Sequence, residues 1–523
     1  MYIKRIFGFL ALCGLLVGCA GGPRGRWSVD YNDATTTPAS MMYGAYNDAA
    51  NHRVAVILPT SGDAAAAGRA IRTSVEMATL STGADNLSVS FFDSARGADA
   101  INDALASNPE IIIGPLFAND ARMLRESKPY DLPVLSFTSD ATAIGDGVMT
   151  MALMPTNSIE AIVREMRTDG VRRFVVLAPD TESGHLLAGA AQGASDIHNV
   201  QLAGAFFYTE KDTDSIKSAT ERASMNVART AAHKRAREIL SDVLTNEKLT
   251  SIERSSVLRQ MDRLSKHDVL GDLPYDAVLF LGTGDDTKSL ASFMRYFGVG
   301  NRDVAFYGTA MWDGADIAND ITMTGAKYAA LPDTDETFVA NYERIAGEKP
   351  SRIASFGYDA ANLAIGMLYS DKLQNAYLLD PSGYAGVDGA VRLRPTGASE
   401  RGLRIMELTG DGTPRVVKNA PADFMTPIYN IEQRHITPIE TTVPLQTRGV
   451  NPMNYITLPE RISGKYKSKT YGANMTAQSN AQLVDVVTVL PEDDRDPIVS
   501  ENYKPVKLSP VKQTLIDSIE VEE

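Results

Sequence analysis

Thiols are nearly absent from this chain: its two cysteines, Cys13 and Cys19, both lie at the amino end of 523 residues. A disulfide framework is excluded for everything downstream, so cohesion must come from apolar packing. Histidine is scarce as well. Six are scattered at 52, 185, 198, 233, 267 and 435, without HExxH or another metal-ligand spacing. No GxSxG occurs. One SxxK, Ser509 to Lys512, has a proline inside it and is accompanied by neither KTG nor SDN, so no acylating serine is expected. These gaps leave no catalytic residue, metal site or cofactor to assign. Positive charge is in deficit: 51 Lys and Arg stand against 65 Asp and Glu, a net charge of −14, which phosphate backbones repel. Nucleic acid is therefore excluded as a partner. Long apolar runs are missing too, since the segment from Ile6 to Val17 is too short for a bilayer-spanning helix.

That short run is informative for another reason. Lys4 and Arg5 precede it, and Leu16-Val17-Gly18-Cys19 follows in the order a lipoprotein signal peptidase needs, so residues 1–18 read as a signal peptide and Cys19 as the lipidated residue. Several acyl chains on one residue anchor stably, each buried CH₂ contributing about 0.8 kcal/mol. Residues 19–51 have no apolar period and read as a tether between the lipid and the first strand. Trp27 is either a membrane-interface contact or a plain spacer aromatic.

From Arg53 the pattern changes. Val54 to Leu58 is an apolar, β-branched run suited to a strand buried on both faces; Pro59 stops it; Thr60, Ser61, Gly62 and Asp63 form a polar loop; Ala67, Ile71, Val75 and Ala78 then mark one helical face. LSVSFFD, EIIIGP and PVLSF are further strands, alternating with helices at Ala98 to Ala106 and Ala118 to Arg125. Such alternation builds a parallel sheet by right-handed crossovers. RFVVLAP, VQLAGAFFY and YDAVLFLGTGDD begin a second copy, with helices at Ser158 to Thr168 and Ser183 to Ile197. Between them, residues 210–270 are helical, with twelve Lys or Arg against nine Asp or Glu from Glu210 to Lys266. This excursion is either a docking surface or a solvated helical hairpin. Gly282, Thr283 and Gly284 make a Gly-rich turn without a following lysine, read as a tight turn in preference to a phosphate loop. Trp312 in VAFYGTAMWDG lines a cleft or packs beneath it.

The opening unit, together with IIIGPLFANDARML, LPVLSFTSDAT, YDAVLFLGTGDD, VAFYGTAMWDG and PSRIASFGYDAANLAIGML in that order, resembles the type 1 periplasmic binding proteins, the leucine/isoleucine/valine-binding class, over roughly residues 51–418. It is similar above all to the branch of lipoprotein activators of penicillin-binding proteins. The resemblance implies an α/β, two-lobed fold: two doubly wound parallel sheets with an interlobe cleft, lobe 1 from 52–155 plus 331–375 and lobe 2 from 156–330 plus 376–419. Residues 420–523 are expected to form a disordered tail. The cleft would be lined by Thr60, Ser61, Gly62, Pro115, Phe117, Thr138, Ser139, Asp180, Gly184, Thr283 and Trp312.

Two functions follow from that resemblance. One is a non-catalytic lipoprotein that binds and activates a penicillin-binding protein, a bifunctional peptidoglycan synthase. Ala20 after the cysteine, where an aspartate would favour inner-membrane retention in such lipoproteins, points to the outer membrane, facing the periplasm. The other is the solute-binding lipoprotein of an ABC importer for a small polar ligand such as an amino acid. Against the latter, Leu116, Phe117 and Ala118 follow the IGP step where amino-acid binders carry a serine-bearing loop, and Asp180, Thr181 and Glu182 stand where the second lobe would supply an aromatic clamp.

Overall fold

The computed structural model describes residues 51–83, 86–370, 374–424, 436–447 and 449–467. The signal peptide, Cys19 and the tether up to residue 50 lie outside these residues, as does the tail beyond 467.

Strand β1 (His52–Leu58) buries all of its residues except Arg53 and pairs in parallel with β2 (Leu87–Asp93) and β3 (Ile111–Ile113). A continuous apolar run is needed here because both faces of the strand are covered. Helix α1 (Ala65–Thr82) sends Ile71, Val75 and Ala78 inward and stops at Gly83, whose φ of 61° is left-handed. Helices α2 (Ala98–Ala106) and α3 (Ala118–Ser127) lead to β3 and to β4 (Val134–Ser136). A fifth strand, β5 (Val148–Thr150), was not read from the sequence. The first sheet has order β2-β1-β3-β4-β5 and is parallel throughout.

Helix α4 (Pro155–Thr168) leads to the second sheet, which contains β6 (Arg173–Pro179), β7 (Gln201–Tyr208), β8 (Ala277–Phe280), β9 (Ala305–Gly308) and β10 (Lys327–Ala330). Its order begins β7-β6-β8-β9-β10, all parallel. Helix α5 (Glu182–His198) joins β6 to β7, and α9 (Gly284–Tyr296) follows β8. The helical excursion is α6 (Thr213–Ala223), α7 (Asn226–Leu244) and α8 (Ser251–Leu264).

The chain then returns to the first sheet as α10 (Glu336–Ala346) and α11 (Arg352–Leu368), followed by the short α12 (Gln374–Leu378). Helix α11 is buried from Ala354 to Leu368 and lies so close to α1 that a Cβ on Gly357 would stand 2.8 Å from Ile71 Cγ2. One apolar cluster runs from Val54 and Ile113 through Ile159 and Ile162 of α4 to Val176 and Leu279, joining both sheets.

Two expectations need correction. Residues 376–419 do not all rejoin the second sheet. Strands β11 (Tyr384–Gly386), β12 (Gly389–Leu393) and β13 (Ser399–Arg401) form an antiparallel sheet of their own, tied to the end of the first by Thr150 N donating to Gly397 O at 2.8 Å. Only β14 (Arg404–Glu407) and β15 (Arg415–Lys418) return, adding antiparallel to β10. Nor does order end at 420. Residues 436–447 lie along α5 and β7, and residues 449–467 close the excursion, placing Ile456 and, from α13 (Glu460–Lys467), Tyr466 in one core with Ile239, Leu240 and Val257. Local composition gave no sign of this, because these apolar residues are isolated in sequence and become a core only against a helix pair some two hundred residues earlier.

Candidate functional site

In an open parallel sheet the ligand crevice opens at the carboxyl ends of the strands, where the strand order reverses. The first sheet reverses between β1 and β3, and the second between β6 and β8. The loops concerned are Thr60 to Asp63, Gly114 to Phe117, Asp180 to Gly184 and Gly282 to Gly284, so most of the candidate residues fall at the two reversal points, whereas Thr138 and Ser139 follow β4 and Trp312 follows β9.

In the first lobe the loop after β1 is held by Asp93, the last residue of β2. Thr60 N donates to Asp93 Oδ1 at 2.9 Å and Ser61 Oγ to Oδ2 at 2.7 Å. Against the upward push of burial, these bonds and those from Thr60 and Ala95 hold the Asp93 carboxyl at about 2, so it is ionised across the physiological range. Asp93 was missed in the sequence, where it closes a strand and bears no motif. Gly62 adopts φ +74° at the exposed tip. Gly114 adopts φ +93°, and a Cβ there would lie 2.1 Å from Ile57 O; no larger residue fits the IGP step. Pro115 is buried behind it, and Phe117 is 48% exposed at the start of α3. Thr138 is buried, its Oγ1 accepting from Asp140 N at 3.1 Å, while Ser139 is exposed. Arg122 of α3 reaches Asp140 at 3.0 Å and fastens the two loops together.

The second lobe repeats one device. A Cβ on Gly184 would stand 2.0 Å from Pro179 O, as one on Gly68 would stand 1.9 Å from Pro59 O, so each first helix sits hard against the proline that ends its strand. Thr181 Oγ1 accepts from Gly184 N at 3.1 Å. Asp180 does not face the crevice unpaired: its Oδ1 lies 2.9 Å from His185 Nε2, and His185 Nδ1 lies 2.7 Å from Ile439 O. Thr283 is exposed at the N-cap of α9 without a side-chain capping bond. Trp312 corrects the expectation that it lines the cleft. It is 1% exposed, packed on Gly308 and beside Phe280 and Tyr328, because the missing Cβ of Gly308 leaves room for the indole beneath the sheet's end.

Polar bonds at the crossovers join the lobes. Arg352, at the start of α11, donates to Asp388 Oδ1 and to Pro332 O, both at 2.8 Å, and lies 3.6 Å from Asp313, which follows β9. Arg404 forms a bidentate pair with Asp333 at 2.8 Å for each bond. A cavity of about 370 Å³ lies at the opposite, amino end of the second sheet, lined among others by Asp169, Tyr307 and Lys327. Its lysine is already paired: Lys327 Nζ is 2.7 Å from Asp169 Oδ1, and Tyr307 Oη donates to Oδ2 at 2.7 Å. Among the described residues no group of three or more His, Cys, Asp or Glu could hold a metal ion.

The architecture has a solved counterpart. A putative branched-chain amino acid ABC transporter protein from Rhodospirillum rubrum superposes with a TM-score of 0.52 at 15% identity, over 70% of this chain and 99% of that one. This chain has the type 1 periplasmic-binding-protein fold. Residues 30–205 match the family model described as LppC putative lipoprotein. The penicillin-binding protein activator LpoA of Mannheimia succiniciproducens is 29% identical over 146 residues, 27% of this chain and 25% of that protein, so the match spans about a quarter of the relative's length. The LpoA C-domain of Haemophilus influenzae aligns over 70% of this chain and 99% of its own, at 16% identity and a TM-score of 0.48.

Proposed function

We propose that this chain is an outer-membrane lipoprotein, anchored through Cys19 and facing the periplasm, that binds a penicillin-binding protein and activates it as a peptidoglycan synthase. The observation that carries this reading is the LppC match over residues 30–205, taken together with the similarity to the activator from Mannheimia. The crevice agrees with it. Thr60 N and Ser61 Oγ, two donors of the loop after β1, are taken by an ionised Asp93. An activator of this kind acts by binding the synthase's active conformation in preference to the inactive one, and it shifts the population only by that differential affinity.

The test is to add the purified lipoprotein to a purified bifunctional synthase from the same cells and follow glycan polymerisation and cross-linking. Binding with a faster rate is expected; no association at micromolar concentrations would remove the reading. The second reading, a solute-binding component of an importer, is favoured by the near-complete coverage of the Rhodospirillum protein, which extends to fold alone. It requires a small ligand in the crevice.

A further inference from the structure

Helix α8 is fixed more firmly than its burial calls for. Of its fourteen residues only Val257 and Leu264 are buried, while Ile252 is 79% and Leu258 52% exposed. Yet the helix is pinned at several points. A capping box closes its start, with Thr250 N donating to Glu253 Oε2 at 2.8 Å and Glu253 N to Thr250 Oγ1 at 3.2 Å. Gln260 exchanges two bonds with Thr457, its Nε2 donating to the carbonyl at 2.9 Å and its Oε1 accepting from the amide at 2.7 Å. Arg461 clasps both Glu253 and Lys248 O.

The outward face thus held rigid carries Ile252, Ser255 and Arg259 at helical spacing, with Leu258 one step round. Arg259 and the Lys248 ammonium are exposed and have no ion-pair partner among the described residues. An exposed aliphatic pair flanked by free cations on a preorganised helix has the makeup of a docking anchor, because little side-chain and backbone ordering remains to be lost on binding. Charge selects the occupant. The chain as a whole carries −14 and repels acidic surfaces, whereas the excursion has a local excess of Lys and Arg.

We infer that the outer face of α8, centred on Ile252, Leu258 and Arg259, is the surface that docks an acidic, apolar-centred patch on the folded synthase. This rests on the reading of the chain as an activator. The test uses the full mature lipoprotein in detergent and the purified synthase, comparing the native chain, the double variant Ile252→Asp/Leu258→Asp, Arg259→Glu, and a control, Leu80→Asp, at a residue 81% exposed on α1. All four positions are exposed, and melting curves confirm that the variants fold. The α8 variants should bind at least about tenfold more weakly while the control binds as the native chain does. Native binding with unchanged α8 variants overturns this surface and leaves the activator reading standing. No native binding removes the activator reading and this surface with it. Loss in the α8 variants of adhesion to phosphatidylglycerol vesicles, or of self-association, with synthase binding intact, assigns the face to lipid or to a second copy and overturns the inference.

Discussion

Val443 exchanges both backbone hydrogen bonds with Ala205, its amide donating at 2.8 Å and its carbonyl accepting at 3.0 Å, so a segment remote in sequence closes the outer edge of β7. The same segment is bonded to α5, where Ile439 N donates to His185 O at 3.1 Å. An uncovered edge strand is a template for pairing with other chains, and this strap removes it locally.

A chain ending after residue 467 should therefore melt as the full chain does, whereas one ending after 435 should melt well below it. The second truncation removes the strap together with Ile456 and Tyr466 from the core of the excursion. Each such buried side chain contributes about 1.5–3 kcal/mol. Coincident melting curves for the two truncations would show that residues 436–467 add nothing.

Gly189 tests the strap more finely. A Cβ at this position in α5 would lie 2.2 Å from Thr437 O. Alanine in a helix interior normally gains about 1 kcal/mol over glycine, but here overpacking costing about 1–3 kcal/mol should outweigh it. Gly189→Ala should lower the melting temperature; a rise would mean that the strap yields freely.

Asp359, on the inner side of α11, is 1% exposed and accepts from Val387 N at 2.9 Å. Burial pushes its carboxyl up to about 7, with Arg401 at 3.9 Å pulling against this and Asp388 adding to it. Below about pH 4 the group is protonated folded and unfolded, so it costs nothing. From there to about pH 7 the folded chain holds the extra proton and stability falls as pH rises; above 7 the full cost remains, on the order of 4 kcal/mol. Asp359→Asn should remove this slope. Its melting temperature should gain on the native protein between pH 5 and pH 8, and parallel profiles would contradict the assignment.

The crevice should not hold a free amino acid at micromolar concentration. Losing one hydrogen bond to a charged group costs about 1.5–3 kcal/mol, and both Thr60 N and Ser61 Oγ are committed to Asp93. Titration calorimetry with a panel of amino acids is expected to be flat; a clear micromolar isotherm would favour the importer reading.

Cys19→Ser should abolish palmitate labelling and leave the chain unprocessed or soluble. Labelling that survives the substitution would place the lipid elsewhere.

Local pattern was enough to read strands such as Val54 to Leu58, whose burial on both faces demands an unbroken apolar run, and helices such as α11, whose apolar residues recur at helical spacing. Since loops at strand ends inherit their place from the strands, Thr60, Pro115, Asp180 and Thr283 could be put at the carboxyl edges from sequence alone. What those loops do with their polar groups could not be read. Ser61 is silenced by a carboxylate 32 residues away, and Asp180 is paired with a histidine that itself leans on Ile439. Trp312 went under the sheet because Gly308 left it space, and Ile456 and Tyr466 became core because α7 and α8 presented an apolar face to them. Such choices rest on contacts between segments far apart in the chain, which no local period records; only the folded chain brings the partners within bonding distance and so decides which groups remain free.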